Sequence, residues 1–166
     1  MIRIGILGDI GSGKSYVANN FGYPVFNADY EVAKLYQKNR LIYKKLKKIL
    51  PKYFNSFPLK KDDISFAILD KKINLKKITK VVHLEVRKKF NIFLKKNKRR
   101  KIVILDIPLL LENKINTKKD ILIFVQAKKK DIQRRLKKRK NYNPRLLYRF
   151  RKIQFSPNLK KKRSNF

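Results

Sequence analysis

Cysteine is absent and histidine occurs once, at His83. Together these exclude disulfides, a thiolate nucleophile, cysteine metal sites and any centre built from several imidazoles. Acidic residues are scarce too: 11 Asp and Glu stand against 46 Lys and Arg, for a formal charge of +35. The basic residues are mostly lysine, spread through nearly every predicted element, with no aromatic-interleaved arginine tract. That distribution reads as a generic basic surface that binds polyanions incidentally at low salt, with no specific nucleic-acid partner. No apolar run approaches the length of a membrane span, and the first residues enter an apolar strand pattern at once, leaving no room for a signal peptide. A soluble, cytoplasmic protein without a membrane partner is expected. With 43% hydrophobic residues in 166, one domain with one core is the natural size, and no repeat or linker divides it.

What is present is concentrated first in residues 8–15. Gly8-Asp9-Ile10-Gly11-Ser12-Gly13-Lys14-Ser15 has glycine, four residues, then Gly-Lys-Ser, and it directly follows the apolar run Ile2-Arg3-Ile4-Gly5-Ile6-Leu7. A strand feeding a glycine-rich turn that opens a helix aims successive backbone N–H groups at one anion. Lys14 is then placed to reach the β- and γ-phosphates of a nucleoside triphosphate, and the Ser15 hydroxyl to hold Mg²⁺. The loop residues Gly8 through Ser15, with Tyr16 behind them, are the expected nucleotide contacts.

Along the rest of the chain a helix is expected from about Lys14 to Phe21, stopped at Gly22, then a short strand over Tyr23-Pro24-Val25-Phe26. Asp29 falls just past the carboxyl end of that strand, where ligands bind in open α/β sheets. Val32, Leu35, Ile42, Leu46 and Ile49 predict one helix from Tyr30 to Leu50, ended by Pro51. Residues 51–70 read as short helical pieces. A further helix runs from Leu75 to about Lys96, with His83 and Arg87 four apart and able to act on one ligand, although taken alone the histidine reads as partly buried and structural. Lys101 to Asp106 is a strand with a carboxylate at its end, continued by Ile107 to Glu112, and Ile121 to Val125 is another buried strand. Asp106 would hold Mg²⁺ through water or orient the acceptor. A helix marked by Ile132 and Leu136 carries Arg135 and Arg139 on its other face; after a break at 141–144, Leu146, Leu147, Phe150 and Ile153 mark another, with Arg145 and Arg149 outward. An arginine-bearing helix, a break and a second helix make a lid able to close cations over a triphosphate. Strands alternating with helices imply an α/β fold with a parallel sheet and helices on both faces.

Several separated blocks, in order, resemble the dephospho-CoA kinase family. Residues 6–15 with Val17 and Ala18 are similar to its opening loop, and residues 22–29 to its second strand with an Asp-Ala-Asp signature. His83-Leu84-Glu85-Val86-Arg87 resembles its His-Pro-x-x-Arg element, and residues 105–112 its Asp-x-Pro-Leu-Leu-x-Glu strand. Gln133, Arg135, Leu136 and Arg139 fit its lid pattern, and Gln154 to Arg163 its glutamine- and lysine-containing helix. Four features depart from that pattern: Asp9 replaces a small residue, Asn27 an aspartate and Leu84 a proline, and the chain ends at Ser164-Asn165-Phe166, where the family's last strand and terminal helix would begin.

The resemblance implies a three-layer P-loop kinase fold in a single domain over residues 1–166. It would have a helical CoA-binding insertion at about 30–98 and a lid at about 128–155. The implied reaction transfers the γ-phosphoryl group of ATP to the 3′-hydroxyl of the dephospho-CoA ribose. Lys14, Asp29 and Arg139 are then the catalytic residues, with Asp29 accepting or orienting the hydroxyl proton. Arg135 and Arg139 bind nucleotide from the lid, while Asp29, His83, Arg87, Asp106, Pro108 and Leu109 contact the acceptor. No residue determines the oligomeric state, and a monomer is the simplest expectation.

Overall fold

Alternation along β1 (Ile2–Gly8) supplies both faces of the sheet. Ile4 and Ile6 point to one face, where they form a buried cluster with Ile104 and with Ala18 of α1 (Lys14–Asn19). Phe21, Val25, Ile102, Ile121, Ile123 and Val125 pack around that cluster. Gly5 points to the opposite face, and a Cβ there would lie 2.5 Å from Leu110 Cδ2 and 2.8 Å from Leu122 Cδ2. Glycine there leaves room for the tips of these two buried leucines, one from the turns after the third strand and one from the fourth strand, to pack flat on the sheet. The strands β2 (Val25–Asn27), β3 (Ile102–Asp106) and β4 (Ile121–Val125) complete a four-stranded sheet in the order β2-β3-β1-β4, parallel throughout. Register sets Asn27 opposite Asp106 and Gly8 opposite Val125, so the carboxyl ends of all four strands lie along one rim.

The computed structural model describes residues 1–166 and resolves into two compact units: residues 1–28 with 93–166, and residues 29–92. The first holds the sheet, α1, α6 (Lys129–Lys137), α7 (Pro144–Lys152) and α8 (Pro157–Lys162). Phe93 also belongs to it and packs against Phe26 with the rings tilted at 52° and their centroids 5.5 Å apart. The second is helical, with most of α2 (Ala28–Lys38), α3 (Arg40–Ile49), α4 (Lys61–Asp70) and most of α5 (Lys72–Lys96). Its core gathers Leu35, Ile42, Leu46, Phe54, Ile68 and Ile78. Buried Asn74 donates from Nδ2 to Ala67 O at 2.9 Å, fastening the start of α5 to the end of α4. No helix is long and apolar enough to cross a membrane.

The second strand starts later than expected, at Val25, and α5 earlier, at Lys72; five further differences bear on the site or on the packing. The helix expected over Tyr30–Leu50 is two helices, because Asn39 is extended and accepts a bond from Ile42 N at 3.0 Å, capping α3 and ending α2. The first helix stops at Asn19, where Asn20 Nδ2 takes the Tyr16 carbonyl at 2.7 Å; Gly22, at φ 72°, belongs to the turn beyond. Residues 107–112 form turns instead of continuing β3, since Pro108 lacks a ladder donor and Leu110 N bonds back to Ile107 O. Helix α6 ends at Lys137, which leaves Arg139 in the following turn and off the helical face shared with Arg135. Ile153 caps α7 and is exposed, outside any apolar stripe. At the chain's end, Asn165 N donates to Leu122 O at 2.7 Å and Phe124 N to Phe166 O at 2.7 Å, so the last two residues pair along the outer edge of β4.

Candidate active site

The loop between β1 and α1 is shaped by three glycines with positive φ: Gly8 at 151°, Gly11 at 87° and Gly13 at 103°. Gly11 carries a second constraint, because a Cβ there would meet Leu136 Cγ at 2.9 Å, so α6 sits directly on the loop. Gly13 caps α1 with no side-chain acceptor. Lys14 Nζ donates to Asp9 O at 2.7 Å and to Gly8 O at 3.3 Å, which folds the ammonium back over the loop. From α6, Arg135 Nη1 donates to Ser12 O at 2.9 Å. Two cations from distant parts of the chain thus converge on one turn. Ser12 Oγ is buried without a hydrogen-bond partner, a desolvated atom that an anionic oxygen or its water would satisfy. A cavity of about 290 Å³ opens beside the loop, lined in part by Asp9, Ser12, Gln126, Lys129 and Asn158.

Across the rim, Asp106 is only 3% exposed. Its Oδ2 accepts from Asn27 Nδ2 at 2.6 Å, an amide where a second carboxylate would repel it. Pro108 O accepts from Lys160 Nζ, and Leu109 is half-buried. Ser15 is exposed at the start of α1, Tyr16 turns its ring to solvent at 76% exposure, and Arg139 is exposed.

Three expected site residues belong to the helical unit. Asp29 stands exposed in the first turn of α2, immediately after β2. His83 and Arg87 occupy α5 one turn apart; burial of His83, and then the positive charge of Arg87, lower the imidazole pKa from 6.5. The neutral ring is favoured in the fold, so its contribution to stability is complete above pH 6.5 and is lost as pH falls through the lowered folded value. Because the chain has one histidine, its imidazole proton resonance is unambiguous. An NMR titration is expected to give a midpoint below 6.5, moving upward in Arg87→Ala; a midpoint at or above the ordinary value would contradict the geometry.

Sequence reasoning missed three pairs. Lys160 and Glu112, with side chains 2% and 8% exposed, form a buried ion pair at 3.1 Å; Lys160 also donates to Gln154 Oε1 at 2.9 Å, and Phe155 N to Glu112 Oε1 at 2.8 Å. This network anchors α8 to the turns that follow Asp106. Arg3 pairs with Asp120 at 2.6 Å, and Arg151 of α7 with Asp9 at 3.3 Å. Only the block around Glu112 and the lysine-containing last helix hinted at any of them. Removing one partner of a buried pair leaves an uncompensated charge, so Lys160→Met is expected to lower unfolding free energy by about 3 kcal/mol in urea. Lys160→Met with Glu112→Leu should cost less than the single change; an equal or larger loss would show that the pair is not the cause.

Comparison with known proteins agrees with this geometry. A family model described as dephospho-CoA kinase matches residues 2–166. A dephospho-CoA kinase from Wolbachia sp. subsp. Brugia malayi is 34% identical over 168 residues, covering 98% of this chain and 86% of that protein. One from Rickettsia typhi is 29% identical over 171 residues, covering 100% and 86%. Among solved structures, a crystal structure from Thermus thermophilus superposes with TM-score 0.73 at 30% identity, covering 98% of this chain and 85% of that one. A dephospho-CoA kinase from Campylobacter jejuni has TM-score 0.62 at 19% identity, a likeness of fold, covering 99% and 85%. With the loop, the parallel sheet and the family match extending over nearly every residue, the chain belongs to the dephospho-CoA kinase family.

Proposed function

We propose that the chain transfers the γ-phosphoryl group of ATP to the 3′-hydroxyl of the dephospho-CoA ribose, giving coenzyme A and ADP. The observation that carries this reading is the convergence of Lys14 and Arg135 on a turn held open by three positive-φ glycines, within a chain matched to the family over residues 2–166. Phosphoryl transfer asks for positioning and charge stabilisation more than for covalent chemistry. The loop N–H groups and Lys14 neutralise charge on the β- and γ-oxygens. Arg135 exchanges its bond to Ser12 O for a phosphate oxygen, and Arg139 is brought in from the turn after α6. Asp29 orients the attacking hydroxyl and accepts its proton. His83 and Arg87 seat the charged part of the CoA moiety, while Asp106, Pro108 and Leu109 flank the acceptor.

The residues fit Mg²⁺ as it is used with nucleotides. No group of three or more metal-binding side chains exists, but Mg²⁺ bound with phosphates needs only one or two protein oxygens and keeps its waters. Ser15 would hold it directly and Asp106, which also accepts a bond from Asn27, through water. Bound there, the ion would neutralise charge between the β- and γ-phosphates.

ADP release measured with ATP and a panel of acceptors tests the assignment. Stimulation by dephospho-CoA, with the new phosphate on the 3′-oxygen by ³¹P NMR, is the expected result. Turnover confined to a nucleoside monophosphate or a shikimate-like acceptor would assign the chain a different small-molecule kinase activity.

A further inference from the structure

The phosphate loop contains one acidic residue, Asp9, at a position next to the anion it is built to receive. Its carboxylate is occupied on both oxygens: Oδ1 accepts from Ile10 N at 2.6 Å, and Oδ2 lies 3.3 Å from Arg151 Nη2. The three cations around the turn have divided its acceptors among them. Lys14 takes the carbonyls of Gly8 and Asp9, Arg135 takes that of Ser12, and Arg151 takes the carboxylate. The loop carbonyls that Lys14 and Arg135 engage are neutral acceptors that phosphate oxygens can replace, whereas Arg151 holds a charge that phosphate would repel.

We infer that Arg151 is a positioning residue for nucleotide binding that acts through Asp9, cancelling and restraining the loop's carboxylate so that the cradle remains attractive to a triphosphate. The inference rests on the reading of this loop as the ATP site. Its consequence is electrostatic and not a matter of stability. Arg151 and Asp9 are 46% and 25% exposed, and a pair so solvated contributes little to folding. Helix α7, whose last turn carries Arg151, has no buried residue, so truncating this side chain removes no core packing. What remains after truncation is an uncompensated negative charge on a loop that must accept a polyanion.

The test is a double-mutant cycle read by calorimetric ATP binding in Arg151→Gln, Asp9→Asn and the double variant, alongside the parent chain. Arg151→Gln should weaken ATP about fivefold with Asp9 present and by less than about twofold in the Asp9→Asn background, a coupling within the range found for contacting residues. In steady-state kinetics the change should fall on KM for ATP more than on kcat, and Arg151→Lys should recover most of it. Equal weakening in both backgrounds would mean that Arg151 touches the nucleotide itself, and no weakening in either would mean that the pair is inert; both results overturn the inference. Transfer to dephospho-CoA is measured on the same parent preparation. A parent chain that binds ATP but phosphorylates another acceptor would refute the functional assignment while leaving the cycle readable.

Discussion

Lys14→Met is expected to lower the rate of phosphoryl transfer by about a thousandfold, the scale seen when one preorganised charge-stabilising group is removed from a reacting centre. The ammonium lies 2.7 Å from Asp9 O and 3.3 Å from Gly8 O, already gathered over the turn proposed to hold the β- and γ-phosphates. Negative charge on those oxygens redistributes as the bond to the γ-phosphorus breaks, so the interaction is stronger in the transition state than in the bound ground state. Single-turnover transfer from radiolabelled ATP separates the two contributions. A loss confined to ATP affinity, with the single-turnover rate intact, would remove Lys14 from the chemistry. Thermal stability should change little, because Lys14 is half-exposed and its removal leaves no buried charge.

Asp29→Asn is expected to lower kcat by at least about a hundredfold with little change in ATP affinity, since general-base contacts contribute mainly in the transition state. The substitution keeps the size of the side chain and its ability to accept a hydrogen bond at the start of α2, so the local helix should persist. What it removes is the carboxylate proposed to take the hydroxyl proton. Asn27, where the family pattern has an aspartate, carries no carboxylate and its amide bonds Asp106 at 2.6 Å, so the proposed role falls on Asp29 alone. Measured kcat near the parent value would discard Asp29 as the base and direct attention to Asp106.

The phosphate loop was legible because its chemistry is local. Eight consecutive residues carry the glycines, the lysine and the serine, and a strand precedes them as the mechanism requires. The parallel α/β architecture was legible for a similar reason, from apolar runs at β1, β3 and β4 and from helical spacing in the segments before β3 and after β4. The break at Asn39 was locally encoded and still overlooked, since apolar periodicity continues across it while the capping bond interrupts the backbone. The end of α6 before Arg139 and the turns after Asp106 were missed because the pattern of side chains persisted where the backbone ladder did not.

Sequence by itself determined the glycine-rich turn between β1 and α1, the fold class and the family this chain belongs to, because each is set by residues adjacent along the backbone or by separated blocks in a known order. Tertiary structure alone decided that Arg151 answers Asp9, that Glu112 and Lys160 share a buried pair, and that α6 lies against Gly11. Those partners are far apart in the chain, and their meeting depends on strand order and on helix placement, quantities that neither composition nor periodicity contains. Charge balance at the loop is therefore a property of the folded molecule, although every charge in it could be counted beforehand.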